Sequence, residues 1–155
     1  MKDDDRKTML RAAIAAVRDC ADTMETQAAD LGQALPELAI SPDLRANALE
    51  LCAGLKDASS RVTFELALLQ TQLGEGKVDT AGAVKRLSAM DAAMMTGVAA
   101  LAAVVDQLEK AAERDEQYEP AFVLVIEATG LMLQGIEQAK VATQAVGDRE
   151  KALRE

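Results

Sequence analysis

Residues 86–101 read RLSAMDAAMMTGVAAL, and the spacing of their larger side chains decides the fold. Leu87, Asp91, Met94, Val98 and Leu101 recur at alternating steps of four and three, which sets them on one stripe of an α-helix. The stripe continues in phase to Val84 on one side and to Val105, Leu108 and Ala112 on the other. The window Leu87–Val105 is long and apolar enough to raise a transmembrane reading. It is built mostly of Ala, Gly, Ser and Met, carries Asp91 inside and has charges on both flanks. It therefore reads as the buried helix of a bundle, with no membrane insertion.

The same period runs through the rest of the chain, interrupted at three places. In ALPELAISPD, Pro36 closes one helix, and Ser41-Pro42-Asp43 supplies an N-cap and a proline at the first helical position of the next. In LGEGKVDT, Gly74 and Gly76 are stop signals and Asp79 is a cap. In RDEQYEPAF, Pro120 again suits a helix start. The expected helices span 5–35, 42–74, 79–115 and 119–153, within one domain covering 1–155. Helix one presents Leu10, Ile14, Val17, Ala21, Met24, Ala28, Leu31 and Leu35; helix two presents Leu44, Ala48, Leu51, Leu55, Ala58 and Val62, then Leu66, Leu69 and Leu73 after a slip. Helix four presents Phe122, Val125, Thr129, Met132, Ile136, Ala139, Thr143 and Val146. Long helices with coiled-coil spacing and short connections predict an all-α, antiparallel up-down-up-down four-helix bundle.

Composition narrows the function. The 155 residues carry 26 acids against 17 bases, a net charge of −9. An acidic chain without a basic stripe is a poor partner for nucleic acid, whose affinity comes largely from Lys and Arg on phosphates. Anionic membranes are disfavoured for the same reason. The charged start MKDDDRKTML has no apolar stretch of the kind a signal peptide needs. Cys20 and Cys52 lie several residues out of level in the first hairpin, so no disulfide is expected, and a reduced, cytoplasmic location follows.

Histidine is absent, which removes the commonest general base and the commonest transition-metal ligand. The Glu-x-x-His pairs of di-iron bundles are ruled out with it. Phosphate loops, Cys-x-x-Cys pairs and Gly-x-Ser-x-Gly elbows are also missing. No cofactor or metal is expected. The chemistry that remains consists of acids in apolar settings, namely Glu65, Asp91 and Glu127.

Asp91 falls on the seam of helix three. With a hairpin at the second break, residues whose numbers sum to about 152 lie level, which brings Asp91 to the height of Arg61. The third turn brings it near Thr143, with Lys140 one turn away. A buried carboxylate must be paired or protonated, so a network of Asp91 with Arg61 or Lys140, and with Thr143 as donor, is expected to fix helix register. Glu65 lies within a turn of Asp91 by the same count, and the two carboxylates would suit a hard cation or acid–base work. Ordinary ion pairing of these side chains is the simpler reading.

Surplus apolar surface points elsewhere. Opposite the seam of helix two run Ala46, Leu49, Ala53, Ser60, Phe64, Ala67, Leu68 and Thr71. Helix three carries Ala89, Ala92, Thr96, Ala99 and Ala103 on its outer side, and helix four adds Leu124 and Leu131 off its seam. Such patches mark interaction surfaces, and Leu49, Ala53, Phe64, Leu68, Leu124 and Leu131 are the expected contact residues. The leading expectation is a non-catalytic interaction protein: a homodimeric adaptor, chaperone-like or inhibitory bundle that binds another protein through an apolar helical face. One alternative is a sensor holding an apolar small molecule between helices near Met94, Met132 and Phe122. Another is an enzyme or hard-cation site using Glu65 and Asp91 with Arg61 or Lys140.

Overall fold

The computed structural model describes residues 2–154. Four long helices follow in order: α1 (Lys2–Ala34), α2 (Pro42–Gly74), α3 (Thr80–Arg114) and α4 (Glu119–Arg154), with single 3-10 turns at Leu35–Glu37 and Glu116–Tyr118. The first connection is drawn together by Arg45, whose guanidinium donates to the Leu38 carbonyl at 2.9 Å. Ser41 caps α2 by accepting from the Leu44 amide, and Asp79 caps α3 by accepting from the Gly82 amide at 2.7 Å. Each cap satisfies an amide that the first helical turn leaves without a partner.

α2 ends in a Schellman motif. The Gly76 amide donates to the Leu73 carbonyl and the Lys77 amide to the Gln72 carbonyl. That geometry requires a left-handed residue at the turn, and Gly76 supplies it with φ of 71°.

The helices form an all-α bundle in which α1 packs on α2 and α4, and α3 packs on the same two helices. Contacts along the chain give the directions. Arg6 meets Glu150 at 3.3 Å and Arg18 donates to Gln70 at 2.9 Å, so α1 runs antiparallel to both neighbours. Arg86 on α3 bonds Gln72 on α2. The sequential pairs are therefore antiparallel, giving the up-down-up-down arrangement.

The seam residues of α1 are all buried, from Leu10 to Leu31, and buried Leu35 continues them into the 3-10 turn. On α3, the run Leu87, Asp91, Met94, Val98, Leu101, Val105 and Leu108 is buried, and Val84 is half-buried at the helix start. With aromatics at 2 % of the chain, the core is filled by Leu, Met, Val, Ile and Ala, and small residues let helices approach closely. At Gly97 a Cβ would stand 2.7 Å from Leu55 Cδ2, so α2 occupies the space that a side chain there would need. At Gly135 a Cβ would stand 3.5 Å from the Cα of Cys20, which brings the backbones of α1 and α4 together.

Two substitutions on α2 separate core packing from helix propensity. Leu66 is fully buried, and Leu66→Ala is expected to cost about 2–5 kcal/mol of stability. Gly54 is exposed in mid-helix with nothing within 4 Å of an added Cβ, so Gly54→Ala is expected to stabilise by about 1 kcal/mol. Thermal melts followed by circular dichroism check both, the second as a rise in Tm of roughly 2–4 °C.

Candidate functional site

A groove of about 990 Å³ runs along the outer side of the α3–α4 pair. Val84, Ser88, Ala92 and Met95 form its α3 wall, and Gly130, Leu133, Glu137, Lys140, Gln144 and Gly147 form most of its α4 wall. The α3 residues recur every three to four positions, so they share one flank of the helix, turned about 100° from the buried seam. Ser88, Ala92, Gly130 and Gly147 contribute almost no side-chain bulk, so the floor of the groove lies close to both backbones. Met95 and Leu133 leave large apolar surface open in its walls, at 43 % and 37 % exposure. α3 and α4 each contain an 18-residue window apolar enough, by length and composition, to cross a membrane. In the bundle that apolar surface is divided between the core and this outer face.

Asp91 lies in the groove and is only 6 % exposed. Its Oδ1 is shut away without a hydrogen-bond partner, and among the described residues no side chain makes a salt bridge to it. Thr143, 2 % exposed, lines the same groove, and its Oγ1 is likewise unpartnered. Burial pushes the Asp91 carboxyl up to about 6; the charge of Lys140 pulls it back down, and that of Glu137 adds to the rise. Lys140 thus acts on Asp91 through space rather than by a direct pair.

On the core side, burial and then the charge of Asp91 push the Cys20 thiol up to about 12. Burial likewise raises Cys52 to about 11, against the opposing charge of Lys56. Both thiols are free and buried and carry a proton at neutral pH, which leaves them without nucleophilic character.

The expected polar network is only partly assembled. Lys140, Thr143 and Asp91 line one groove. Arg61 does not join them: it is exposed and bonds Asp57 one turn back on α2 at 2.8 Å. Glu65 also stands exposed on α2. The height of the hairpin was not at fault, since Leu55 meets Gly97 at a sum of 152. The face was. Arg61 and Glu65 each precede a buried residue, Val62 and Leu66, and the 100° turn per residue swings them outward, whereas Asp91 faces α4. The paired carboxylates that a hard-cation or acid–base site would need are therefore not brought together.

The expected contact residues divide as well. Leu49 and Leu124 are half-buried and packed against the core, while Ala53, Phe64, Leu68 and Leu131 are exposed. Phe64 is the most open of the large apolar side chains, at 67 %. Met94 and Met132 are enclosed in the core, so the groove opens beside Met95 and Leu133 rather than between those methionines and Phe122. Sequence reasoning missed Leu133 and Gly130. Their signal was available in the small-residue flank of α3 and in the height shared by Asp91 and Lys140.

Comparison with protein-family models, with curated proteins and with solved structures found no match. The functional reading therefore stands on the geometry of the groove and its buried acid.

The Asp91 carboxyl titrates near 3.8 when unperturbed and about 6 in the folded chain. The folded state therefore holds this proton more tightly than the unfolded state does. The associated stability is complete below pH 3.8 and is lost as the pH rises to about 6, a loss on the order of 2–3 kcal/mol. Asp91→Asn removes the titration. Melts of both proteins between pH 4 and 8 should show the variant gaining on the wild type through this window and levelling off above it. A constant difference across the range would refute the assignment.

Proposed function

We propose that this chain is a non-catalytic binding protein that takes an amphipathic helix of another protein into the α3–α4 groove. One observation carries the reading: an open groove, mostly apolar in its exposed surface, floored by small residues and bordered on its α4 side by Glu137, Lys140 and Gln144, lies alongside two long helices. From Val84 to Met95 it extends roughly 16 Å, and from Gly130 to Asp148 roughly 27 Å, which suits a partner helix of three to five turns. Helix-in-groove recognition needs these elements: apolar walls for the partner's buried stripe, and small residues that admit its backbone. Adaptor, chaperone-like and inhibitory roles all use such a surface. The catalytic alternative needs Glu65 to converge on Asp91 with Arg61 or Lys140; Lys140 shares the groove with Asp91, but Glu65 and Arg61 stand exposed on α2. The apolar small-molecule alternative needs open space at Met94 and Met132, which are enclosed.

A separate proposal concerns self-association. Phe64 and Leu68 lie exposed on α2, away from the groove, and bulky apolar side chains carry most interface energy. They would serve a symmetric homodimer that leaves the α3–α4 face free for its partner.

Two variants assign the two faces. Phe64→Asp should convert a dimer to a monomer by size-exclusion chromatography with light scattering. A wild-type monomer would remove the dimer proposal. Leu133→Glu should abolish binding of helical peptides selected on the wild type from a displayed library of 18-residue amphipathic sequences, while leaving the solution mass unchanged. Peptide binding that ignores Leu133→Glu would overturn the groove reading. Co-sedimentation with phosphatidylcholine vesicles, lost in the same variant, would assign the face to a membrane instead.

A further inference from the structure

Several places in the molecule invite a second reading, and one of them is carried by independent observations. The buried thiols are protonated and sealed in the core. The hollow at the bundle end, near Arg6, Lys7 and Arg11, also holds Asp79 and Glu150, and Glu150 already engages Arg6. The floor of the α3–α4 groove differs from both, because Asp91 Oδ1 and Thr143 Oγ1 there have no hydrogen-bond partner.

We infer that Asp91 and Thr143 form a cation subsite that takes the side-chain ammonium or guanidinium of a lysine or arginine on the docked helix. This inference depends on the groove being a helix-docking site. Three observations support it. First, Asp91 is more than nine-tenths buried, lines the groove and has no salt-bridge partner among the described residues. A carboxylate in that position is short of the charge and hydrogen bonds it would have in water.

Second, the Thr143 hydroxyl is free. Thr63, Thr71, Thr96 and Thr129 each donate to the carbonyl four residues back on their own helix. Thr143 makes no such bond, and its buried Oγ1 has no hydrogen-bond partner, so a donor that reached it would meet an unsatisfied acceptor. Third, the charges at the rim do not complete the site. Lys140 and Glu137 stand about one turn apart on α4, and they act on Asp91 in opposite directions. Lys140 acts the more strongly and Glu137 partly offsets it, and burial, the largest influence, still leaves the carboxyl raised.

The chemistry selects the occupant. A metal ion needs several hard ligands, and among the described residues no group of three or more His, Cys, Asp or Glu is placed to hold one. Most of the groove's exposed surface is apolar, from Val84, Ala92, Met95 and Leu133 among others, and its buried polar point is an acid, so the ligand that fits brings an apolar body and a cationic head. A lysine or arginine within the apolar stripe of an amphipathic helix has that form. Its methylene stem lies along apolar surface, and its charged head reaches a polar point. The cation replaces the proton that burial otherwise favours on Asp91, and a charge-assisted hydrogen bond forms in a site sheltered from water.

The test is a displayed library of 18-residue amphipathic peptides in which one central position of the apolar stripe is fully randomised. It is selected separately on the wild type, on Asp91→Asn, on Thr143→Val and on Leu133→Glu. Each protein is first shown to be folded by its circular dichroism melt. On the wild type, Lys and Arg should dominate the randomised position. On Asp91→Asn that preference should vanish in favour of neutral residues. The selected lysine peptide should bind Asp91→Asn about tenfold or more weakly than the wild type, while its norleucine counterpart should bind both alike.

Thr143→Val keeps the acid and should reduce the cationic preference without abolishing it, which preserves the test should Asp91→Asn fail to fold. Peptides that need Leu133 but show no cationic preference would overturn the subsite and leave helix docking intact. Failure to select any Leu133-dependent peptide would overturn helix docking, and the subsite with it.

Discussion

Close helix approach is the constraint on which the rest of this structure depends. A chain with almost no aromatic residues cannot fill a wide space between helices, so the four seams must come together on aliphatic and small side chains. Gly97 against Leu55 and Gly135 against Cys20 mark where this happens. The requirement is energetic as well as steric, because interiors are close-packed and gaps forfeit dispersion contacts. α1 meets it in full by burying one stripe and turning its charges outward, including Arg11, Arg18, Asp22 and Asp30.

The same economy of side-chain volume produces the candidate site. Where α3 and α4 run side by side, Ser88, Ala92, Gly130 and Gly147 cover the junction so thinly that it remains a groove. Larger residues at those positions would have closed the junction and buried Met95 and Leu133. Instead these two stay open, and Asp91 lines the same groove. The acid therefore occupies a boundary, too buried for water to solvate it well and too close to the surface to be sealed by the core. Its raised pKa reflects that position. An apolar groove with a polar point at its base provides both adhesion and selectivity, the combination expected of a recognition surface.

The two apolar faces carry different implications. The α2 stripe is anchored by Phe64 and Leu68 and borders ordinary surface charges such as the Arg61–Asp57 pair. It has no depth. The α3–α4 face is concave, continuous over several turns and chemically marked. Ile126 and Val123 extend exposed apolar surface towards the start of α4. Under the proposed function, separate faces would let a single bundle self-associate and bind a partner without competition between the two.

The sequence by itself determined the helices, their ends to within a few residues and the buried seams of α1 and α3, whereas on α2 the buried stripe runs through Cys52 and Ser59 rather than Leu51 and Ala58. Those properties follow from local rules: a period of 3.6 residues, proline and glycine at the breaks, and Ser41 and Asp79 as caps. It also placed Asp91 on the seam and Lys140 and Thr143 at nearly its height, because antiparallel hairpins make height a matter of counting. Only the tertiary structure decided which neighbour each flank faces. Counting residues gives position along a helix and not rotation about it, and one residue is 100° of rotation. For that reason Arg61 and Glu65, correct in height, turned out to face solvent, while Asp91 turned towards α4. The groove itself depends on how closely two particular helices pack and on what their small residues leave uncovered, which no single helix encodes.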